Sequence, residues 1–272
     1  MPHNVNIEVF LLAKTEVNKE EINKYLQHLK ADKFNPNFEN KTSAELLVEL
    51  GGRRCYMSFQ PGLNPNVTKI REDVVQYIDN ILSSGHGSVL EHVNFTFAIE
   101  GVSRVFTGEM NRHRAGFAIS EGSMRFIRYE DIGWWMPTSM IPRENDPEEV
   151  VEMKLKTQKI FHKAFLEMEE NQKLLNEVWN LDEGSKNFHY KKLATSMFRR
   201  IIGMGVATGG IWTGNIRALR HVLTMRTTKY AEEEIYYVFN KIMGLMKESE
   251  PSFFGDFVQD EFGYWKPKYF KV

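Results

Sequence analysis

Sixteen consecutive residues without a charged side chain, Ile201 to Ile216, restrict most strongly how this chain can fold. The stretch is shorter than the roughly 20 apolar residues that a membrane-spanning helix requires. It also contains five glycines, at positions 203, 205, 209, 210 and 214. We therefore expect a buried helix that makes close backbone contacts, in a soluble protein.

The start of the chain and its cysteine content indicate a cytoplasmic protein. Residues 1 to 8 contain no Lys or Arg, and the apolar segment from Val9 to Ala13 is too short for the core of an export signal. The single cysteine, Cys55, excludes an intramolecular disulfide and a cysteine-based zinc cluster. We predict a reducing, cytoplasmic location and no metal site.

The composition is typical of one folded domain with balanced charge. The chain has 272 residues, of which 42% are hydrophobic and 12% aromatic, enough to fill a sizeable core. Its 35 basic and 36 acidic residues give a net charge of −1, which argues against binding to nucleic acid or to a membrane through bulk charge. We predict a single domain over residues 1–272.

Local patterns predict a sheet in the first half of the chain and helices in the second. The residues from Val93 to Ile99 alternate between apolar and polar, as in a strand, and Ser103 is placed to cap a helix that runs to Asn111. The stretch from Arg112 to Arg125 reads as irregular, and Met124 to Tyr129 as a strand. The predicted helices are Val17–Leu29, Ala44–Leu50 up to the turn at Gly51–Gly52, Val67–Ser83, Glu148–Trp179, Tyr190–Gly203, Thr213–Met225 and Ala231–Lys247. The predicted class is α+β, with a central, mostly antiparallel sheet flanked by helices and a helical C-terminal half.

The loop from Arg112 to Arg125 is the first candidate for chemistry. Arg112, Arg114 and Arg125 place three permanent cations in fourteen residues of a chain with no basic excess. Guanidinium groups match phosphate oxygens in a bidentate fashion, and Ser123 offers a hydroxyl group to the same oxygens. Gly122 permits close approach of the backbone to a ligand. The alternative is a surface loop with paired arginines.

Three further segments carry polar groups of the same kind. From Ser84 to His92 the chain holds two histidines and Glu91, which either contact a planar ligand or form a buried Glu91–His92 pair. On a helix from about Thr213, we expect Arg217, Arg220 and His221 near one face, either at a ligand or in solvent. At Arg199-Arg200, just before the uncharged stretch, we expect one of the two arginines to point towards an anionic ligand. No nucleophile with an adjacent base is evident, and this favours an enzyme whose chemistry belongs to a bound cofactor.

In this order the segments resemble the flavin-dependent thymidylate synthases. Arg112-His113-Arg114 followed by Ser123-x-Arg125 is similar to the family's Arg-His-Arg, seven residues, Ser and a closing Arg, with one additional residue here. Three more segments are similar to family patterns, and the matches span residues 53 to 226. These are Gly85 to His92 (Gly-His-x-Ser/Thr-x-x-Glu-His), the four residues from Arg53 that end in Arg54-Cys55-Tyr56 (Arg-x-Ser/Cys-Tyr), and Asn215-x-Arg217 with Arg226 (Asn-x-Arg…Arg).

The resemblance implies an FAD-dependent methyltransferase that converts dUMP to dTMP. It implies methylenetetrahydrofolate as carbon donor, NADPH as reductant, no enzymic cysteine nucleophile, and a homotetramer with FAD where subunits meet. Cofactor-binding positions are carried over to Cys55, His86, Ser88, Glu91, Arg112, His113, Arg114, Asn215, Arg217 and His221. Substrate-binding positions are carried over to Glu109, Glu121, Gly122, Ser123, Arg125, Arg199 and Arg226, of which Arg226 and Ser123, together with Arg112, are expected to be catalytic. Phe126 stands where a tyrosine and His86 would sandwich the folate ring.

The sequence departs from the family pattern at two points, and these leave a substrate other than dUMP possible. Eight residues instead of seven separate Arg114 from Ser123, and Glu109 replaces a glutamine that usually lies near the phosphate. A carboxylate repels a phosphate dianion, but it accepts hydrogen bonds from ribose hydroxyls, so methylation of UMP is the close alternative. Two other functions stay open: a non-catalytic nucleic-acid-binding protein, and a flavin oxidoreductase without methyl transfer.

Overall fold

The computed structural model describes residues 1–184 and 186–271, which form both helices and strands. The strands are β1 (His3–Asn4), β2 (Glu8–Lys14), β3 (Asn94–Ser103), β4 (Phe117–Glu121), β5 (Gly133–Trp134), β6 (Ala207–Asn215), β7 (Phe257–Gln259) and β8 (Trp265–Pro267). The α-helices are α1 (Lys19–His28), α2 (Ser43–Tyr56), α3 (Val74–Ser83), α4 (Arg104–Met110), α5 (Glu148–Val178), α6 (Phe188–Phe198), α7 (Ile216–Arg226), α8 (Glu233–Ser249) and α9 (Pro251–Phe254). Short 3₁₀ helices cover Gly87–His92, Thr138–Met140 and Arg199–Ile201.

The main sheet has four strands in the order β2-β3-β6-β4. Strands β6 and β4 pair in antiparallel fashion, because Asn215 N–H bonds to Gly116 O at 3.2 Å while Gly122 N–H bonds to Gly209 O at 3.0 Å. The short strands β1 and β5 pair in parallel, and β7 pairs with β8 in antiparallel fashion. The predicted mixed class with an antiparallel sheet and helices is confirmed.

The chain separates into two compact units. Unit 1 comprises Met1–Phe10, Ala98–Arg112 and Ile119–Ile211, and unit 2 comprises Leu11–Phe97, His113–Ala118 and Trp212–Val272. Among the described residues, no helix combines the length and apolarity needed to cross a membrane, and none of their His, Cys, Asp and Glu side chains cluster in threes as metal ligands would.

Unit 1 is built around the long helix α5. Trp134 stacks on Phe165 of this helix, with ring centroids 4.9 Å apart, and both are buried together with Val206. Glu169 of α5 is buried, and it accepts hydrogen bonds from the Ile132 backbone at 3.1 Å and from Lys173 at 2.7 Å. Burial alone would raise the pKa of Glu169, but these hydrogen bonds outweigh it and lower the pKa.

Unit 2 holds a buried ionic cluster on α2. Glu49 is fully buried and binds Arg53 through two nitrogens, at 2.9 and 2.7 Å, and Lys41 at 2.6 Å. The Arg53 guanidinium lies over the rings of Phe34 and Tyr77, at 5.0 and 4.8 Å from their centroids. Burial raises the pKa of Tyr77 to about 12, so this phenol stays neutral beside the cation at ordinary pH.

Several helix predictions are confirmed with small shifts at their ends. The cap at Ser103 is confirmed, since its side chain accepts from the Val105 backbone at 3.1 Å. Helix α2 does not stop at Gly51–Gly52 but continues to Tyr56, and within it Gly52 leaves room for the Tyr77 hydroxyl of α3. Helix α3 begins at Val74, capped by Asp73, rather than at Val67. Helices α6, α7 and α8 begin or end two to five residues away from the predicted positions.

The prediction of a buried helix over Ile201–Ile216 is wrong, because most of this stretch is strand β6. Its glycines make room for side chains of neighbouring strands: a Cβ at Gly209 would collide with the Glu100 carboxylate, and one at Gly214 would lie 2.5 Å from the Phe117 ring. The stretch from Arg112 to Arg125 contains strand β4, so the prediction that it is irregular is wrong in part. Residues 124–129 form a turn and loop, not a strand.

Candidate functional site

Two pockets in unit 2 gather most of the side chains that the sequence analysis singled out for a cofactor. The first, here called the α7 pocket, has a volume of about 350 Å³ and is lined by Glu91, Ala115, Gly116, Asn215, Arg217, Ala218 and His221. The second, the His86 pocket, has a volume of about 320 Å³ and is lined by Gly52, Cys55, Tyr56, Ile81, Gly85, His86, Gly87, Ser88, Val89 and Arg217. Arg217 lines both, so its side chain lies where the two pockets meet.

The start of helix α7 places the polar groups of the first pocket. Asn215 is the N-cap residue, and its side chain accepts a hydrogen bond from the Ala218 backbone at 2.8 Å. Arg217 and His221 follow one turn apart, and both are exposed. Arg217 forms an ion pair with Glu91 at 2.5 Å, and each side chain is about half exposed. A guanidinium has five N–H donors, so this pair is compatible with a second anion.

Gly116 closes the wall of the α7 pocket in a conformation that suits only glycine. Its φ is +76°, and a Cβ there would lie 2.7 Å from both the Ala218 Cβ and the Asn215 side-chain nitrogen. The chain at Gly116 therefore passes directly against the capped end of α7. This is the physical role of the glycine at this position.

The His86 pocket is built from the end of α2 and the turn before the 3₁₀ helix Gly87–His92. The His86 ring lies 6.3 Å from the Tyr56 ring, at an interplanar angle of 31°. The Cys55 thiol is exposed and lines the same pocket, as does Ser88. The arrangement offers an imidazole, a phenol ring and a hydroxyl to one ligand.

Arg226, the last residue of α7, is joined to the Arg-His-Arg motif through His113. Its Nε donates a hydrogen bond to Nε2 of His113 at 3.0 Å. The His113 ring meets the His221 ring edge to face, with centroids 6.4 Å apart. Arg114, which follows His113, is exposed. In this way unit 2 brings His113 of the motif next to both His221 and Arg226 of helix α7.

In unit 1 a buried arginine that the sequence analysis missed holds the end of strand β4. Arg104 donates hydrogen bonds to the Glu121 carboxylate, to Gly122 O at 2.6 Å and to the Tyr129 hydroxyl at 3.0 Å. Asn111 also donates to Glu121, at 2.8 Å. The sequence does contain a signal for this role. Arg104 is the first residue of a helix, where a cation is unfavourable beside the helix dipole, and this indicates that it binds a carboxylate elsewhere in the fold.

The other predicted substrate residues of unit 1 are exposed or half-buried. Arg112, Arg125 and Arg199 are exposed, Glu109 and Ser123 are half-buried, and Arg199 begins the 3₁₀ helix after α6. The Ser123 hydroxyl accepts from the Arg125 backbone at 3.4 Å. Arg125 lines a separate pocket with residues of α6.

Two expectations about polar side chains are corrected. Arg220 does not share the open face of Arg217 and His221, because it is buried and binds Asp256 through two nitrogens, at 2.6 and 2.9 Å. Glu91 does not form a buried pair with His92, because both are exposed and Glu91 pairs with Arg217.

Comparisons with known proteins agree on one family. The sequence model of the family described as thymidylate synthase complementing protein matches residues 38–252. A flavin-dependent thymidylate synthase of Mycobacteroides abscessus is 32% identical over 226 residues, which cover 82% of this chain and 84% of that protein. The protein of the same name from Corynebacterium diphtheriae is 33% identical over 217 residues, covering 79% and 80%.

Solved structures show the same fold at low sequence identity. A UMP/dUMP methylase, PolB, from Streptomyces cacaoi bound with 5-Br UMP has a TM-score of 0.60 and 17% identity, and the match covers 93% of this chain and 94% of that one. Thymidylate synthase X from Helicobacter pylori with FAD and dUMP has a TM-score of 0.55 and 18% identity, with coverage of 92% and 98%.

Proposed function

This chain belongs to the family of flavin-dependent thymidylate synthases, and on that premise we propose that it methylates C5 of a uracil nucleotide with FAD as cofactor. The proposed reaction converts dUMP to dTMP with methylenetetrahydrofolate as carbon donor and NADPH as reductant. The observation that carries the proposal is the gathering of seven of the ten expected cofactor residues around the two pockets that share Arg217. A homotetramer with FAD between subunits is part of the proposal.

The side chains of the two pockets suit FAD chemically. Arg217 offers a guanidinium to a diphosphate, and Asn215 and Ser88 offer hydrogen bonds to polar ring or ribose atoms. His86 and Tyr56 present rings against which a planar group packs. Bound there and reduced by NADPH, the flavin would supply the hydride that completes the new methyl group.

We assign the central electrostatic role to Arg226. Its guanidinium donates one hydrogen bond to His113, and this fixes the direction of the remaining N–H groups. Directed at the uracil carbonyl oxygens, they stabilise the negative charge that spreads over the ring while C5 acts as a carbon nucleophile. Ser123 and Arg112 complete the proposed catalytic set, with Arg125 and Arg199 at the nucleotide phosphate.

Glu121 and Gly122 are expected to contact the nucleotide, and both are held in place by neighbouring side chains. Arg104 and Asn111 hold the Glu121 carboxylate, and Arg104 also holds the Gly122 carbonyl. We propose that this buried arginine positions the backbone from Glu121 to Ser123, so that the nucleotide meets groups that are already oriented.

UMP is the second candidate substrate. Glu109 stands where a glutamine is usual, and its carboxylate would accept a hydrogen bond from a 2′-hydroxyl group. The fold is also that of a UMP/dUMP methylase. One experiment ranks both nucleotides.

The test measures tritium release from C5-labelled dUMP and UMP, with the purified chain, FAD, methylenetetrahydrofolate and NADPH. We expect release from dUMP, and faster release from UMP than from dUMP would instead support the second candidate. Oxidation of NADPH without release from either nucleotide would show a flavin oxidoreductase. Protein that stays colourless after incubation with FAD would contradict the assignment of the two pockets.

A further inference from the structure

A further cavity of unit 2 lies beside the buried ionic cluster of helix α2. It has a volume of about 320 Å³, and its lining includes all three members of that cluster, Lys41, Glu49 and Arg53, together with Lys33 and Glu72. We call it the Lys41 pocket. None of its lining residues is among those expected to bind the cofactor or the substrate, so it is separate from the two pockets proposed for FAD.

The buried cluster contains one positive charge more than its carboxylate compensates. The side chains of Lys41 and Arg53 are only 5% and 2% exposed, and both pair with Glu49, at 2.6 and 2.7 Å. Buried charges are normally paired, because an ion without a partner is costly to remove from water. Two cations that share one carboxylate beside a cavity therefore favour an anion within that cavity.

Lys41 is the member of the cluster that can bind this anion. Arg53 already donates to Glu49 and to two backbone carbonyl oxygens. In the described part of the chain Lys41 makes one hydrogen bond, to Glu49, and its amino group lies 5.5 Å from the Phe34 centroid. An ammonium group has three N–H donors, so Lys41 keeps donors for a ligand.

The exposed part of the lining adds one charge of each sign. Lys33 and Glu72 are exposed, and within residues 1–184 and 186–271 neither side chain forms an ion pair. The amide side chains of Asn35 and Asn37 supply further hydrogen-bonding groups. The charged groups that the pocket offers to a ligand are therefore two ammonium groups and one carboxylate.

We propose that the Lys41 pocket binds a small dicarboxylic amino acid. The two carboxylates of such a ligand match the amino groups of Lys33 and Lys41, and its ammonium group matches the carboxylate of Glu72. The ligand brings one net negative charge, which balances the excess charge of the buried cluster. Inorganic phosphate offers no cation to Glu72, and the two anions would repel each other. The inference is independent of the proposed function, because none of these residues contributes to it.

The test is direct binding to the full chain. L-Aspartate, succinate, L-asparagine and inorganic phosphate are each titrated by calorimetry, and thermal unfolding is measured with the same compounds. Succinate lacks the ammonium group, and asparagine lacks one carboxylate. We expect L-aspartate to bind at least about fivefold more tightly than each of the others. At about ten times its Kd it should raise Tm by about 3–6 °C.

Three variants test the assigned contacts. Lys33→Gln should weaken the binding of L-aspartate by about threefold, and Glu72→Gln should remove the preference for L-aspartate over succinate. Both side chains are exposed, so we expect both variants to fold normally. Lys41→Met should abolish binding, while the balanced pair of Glu49 and Arg53 stays in place.

Two exposed residues outside the lining serve as matched controls. Lys69→Gln and Glu39→Gln remove the same kinds of charge and should bind L-aspartate like the unaltered chain. Absence of both binding heat and a Tm shift with L-aspartate would overturn the proposal. So would phosphate that binds as tightly as L-aspartate, or variants at Lys33 and Glu72 that bind like the two controls.

Discussion

Replacing Gly116 with alanine should destabilise the wall of the α7 pocket. The same substitution at Gly62 serves as the control that measures the backbone part of this loss of stability. Gly116 has φ +76°, and an added Cβ would meet Ala218 and Asn215, each at 2.7 Å. The left-handed backbone costs an alanine about 1–2 kcal/mol, and the collision adds about 1–3 kcal/mol, as in other overpacked sites. Gly62 has φ +91° with no atom within 4 Å of an added Cβ, so Gly62→Ala carries the backbone cost alone.

The assay compares thermal unfolding and bound FAD in the two variants. For a chain of this size 1 kcal/mol corresponds to roughly 2–4 °C, so Tm of Gly116→Ala should lie about 2–12 °C below that of Gly62→Ala. We also expect Gly116→Ala to retain less FAD after gel filtration, because the collision displaces the Asn215 cap and with it Arg217. Equal Tm values and equal FAD content in the two variants would refute this account of the pocket wall.

Three further predictions address charge. Arg226→Ala should lower the rate of tritium release by about 10²–10³ while FAD stays bound, because the arginine acts on the uracil ring; flavin absorbance and rate are measured on the same sample. Glu49→Gln should lower the free energy of unfolding by about 3–5 kcal/mol, since it leaves two buried cations without their carboxylate; denaturant titration tests this, with the exposed Glu20→Gln as control. Glu169 has a lowered pKa in the folded state, so its contribution to stability is present above the unfolded pKa and is lost as pH falls through the folded pKa. In Glu169→Gln, Tm measured from pH 7 to pH 3 should therefore start lower and fall less steeply.

Each of these predictions has a result that would contradict it. Loss of FAD from Arg226→Ala would show that this arginine binds the cofactor rather than the substrate. A Glu49→Gln variant as stable as Glu20→Gln would mean that the buried cluster contributes nothing. Parallel curves of Tm against pH for Glu169→Gln and the unaltered chain would show that Glu169 does not titrate with unfolding.

Features determined by residues close together in the sequence were predictable. The alternation in β3, the Ser103 cap of α4 and the long helix α5 follow from patterns within a few residues. The order of the Gly-His, Arg-His-Arg and Asn-x-Arg segments also sufficed to identify the family, because each segment holds its functional groups at short, fixed spacing. These patterns can be recognised without knowing which distant residues pack against them.

Features determined by distant residues needed the tertiary structure. Nothing in the glycine-rich stretch around Gly209 distinguishes a strand from a helix. The strand is favoured by contacts with Glu100 and Phe117, whose side chains occupy the space that the glycines leave. In the sequence, Arg220 and Arg217 look equivalent, since both are arginines on the same helix. Only Arg220 is part of the core, because Asp256, 36 residues away in the chain, binds it there. A guanidinium is buried only where a carboxylate compensates its desolvation, and the chain path decides where that carboxylate lies.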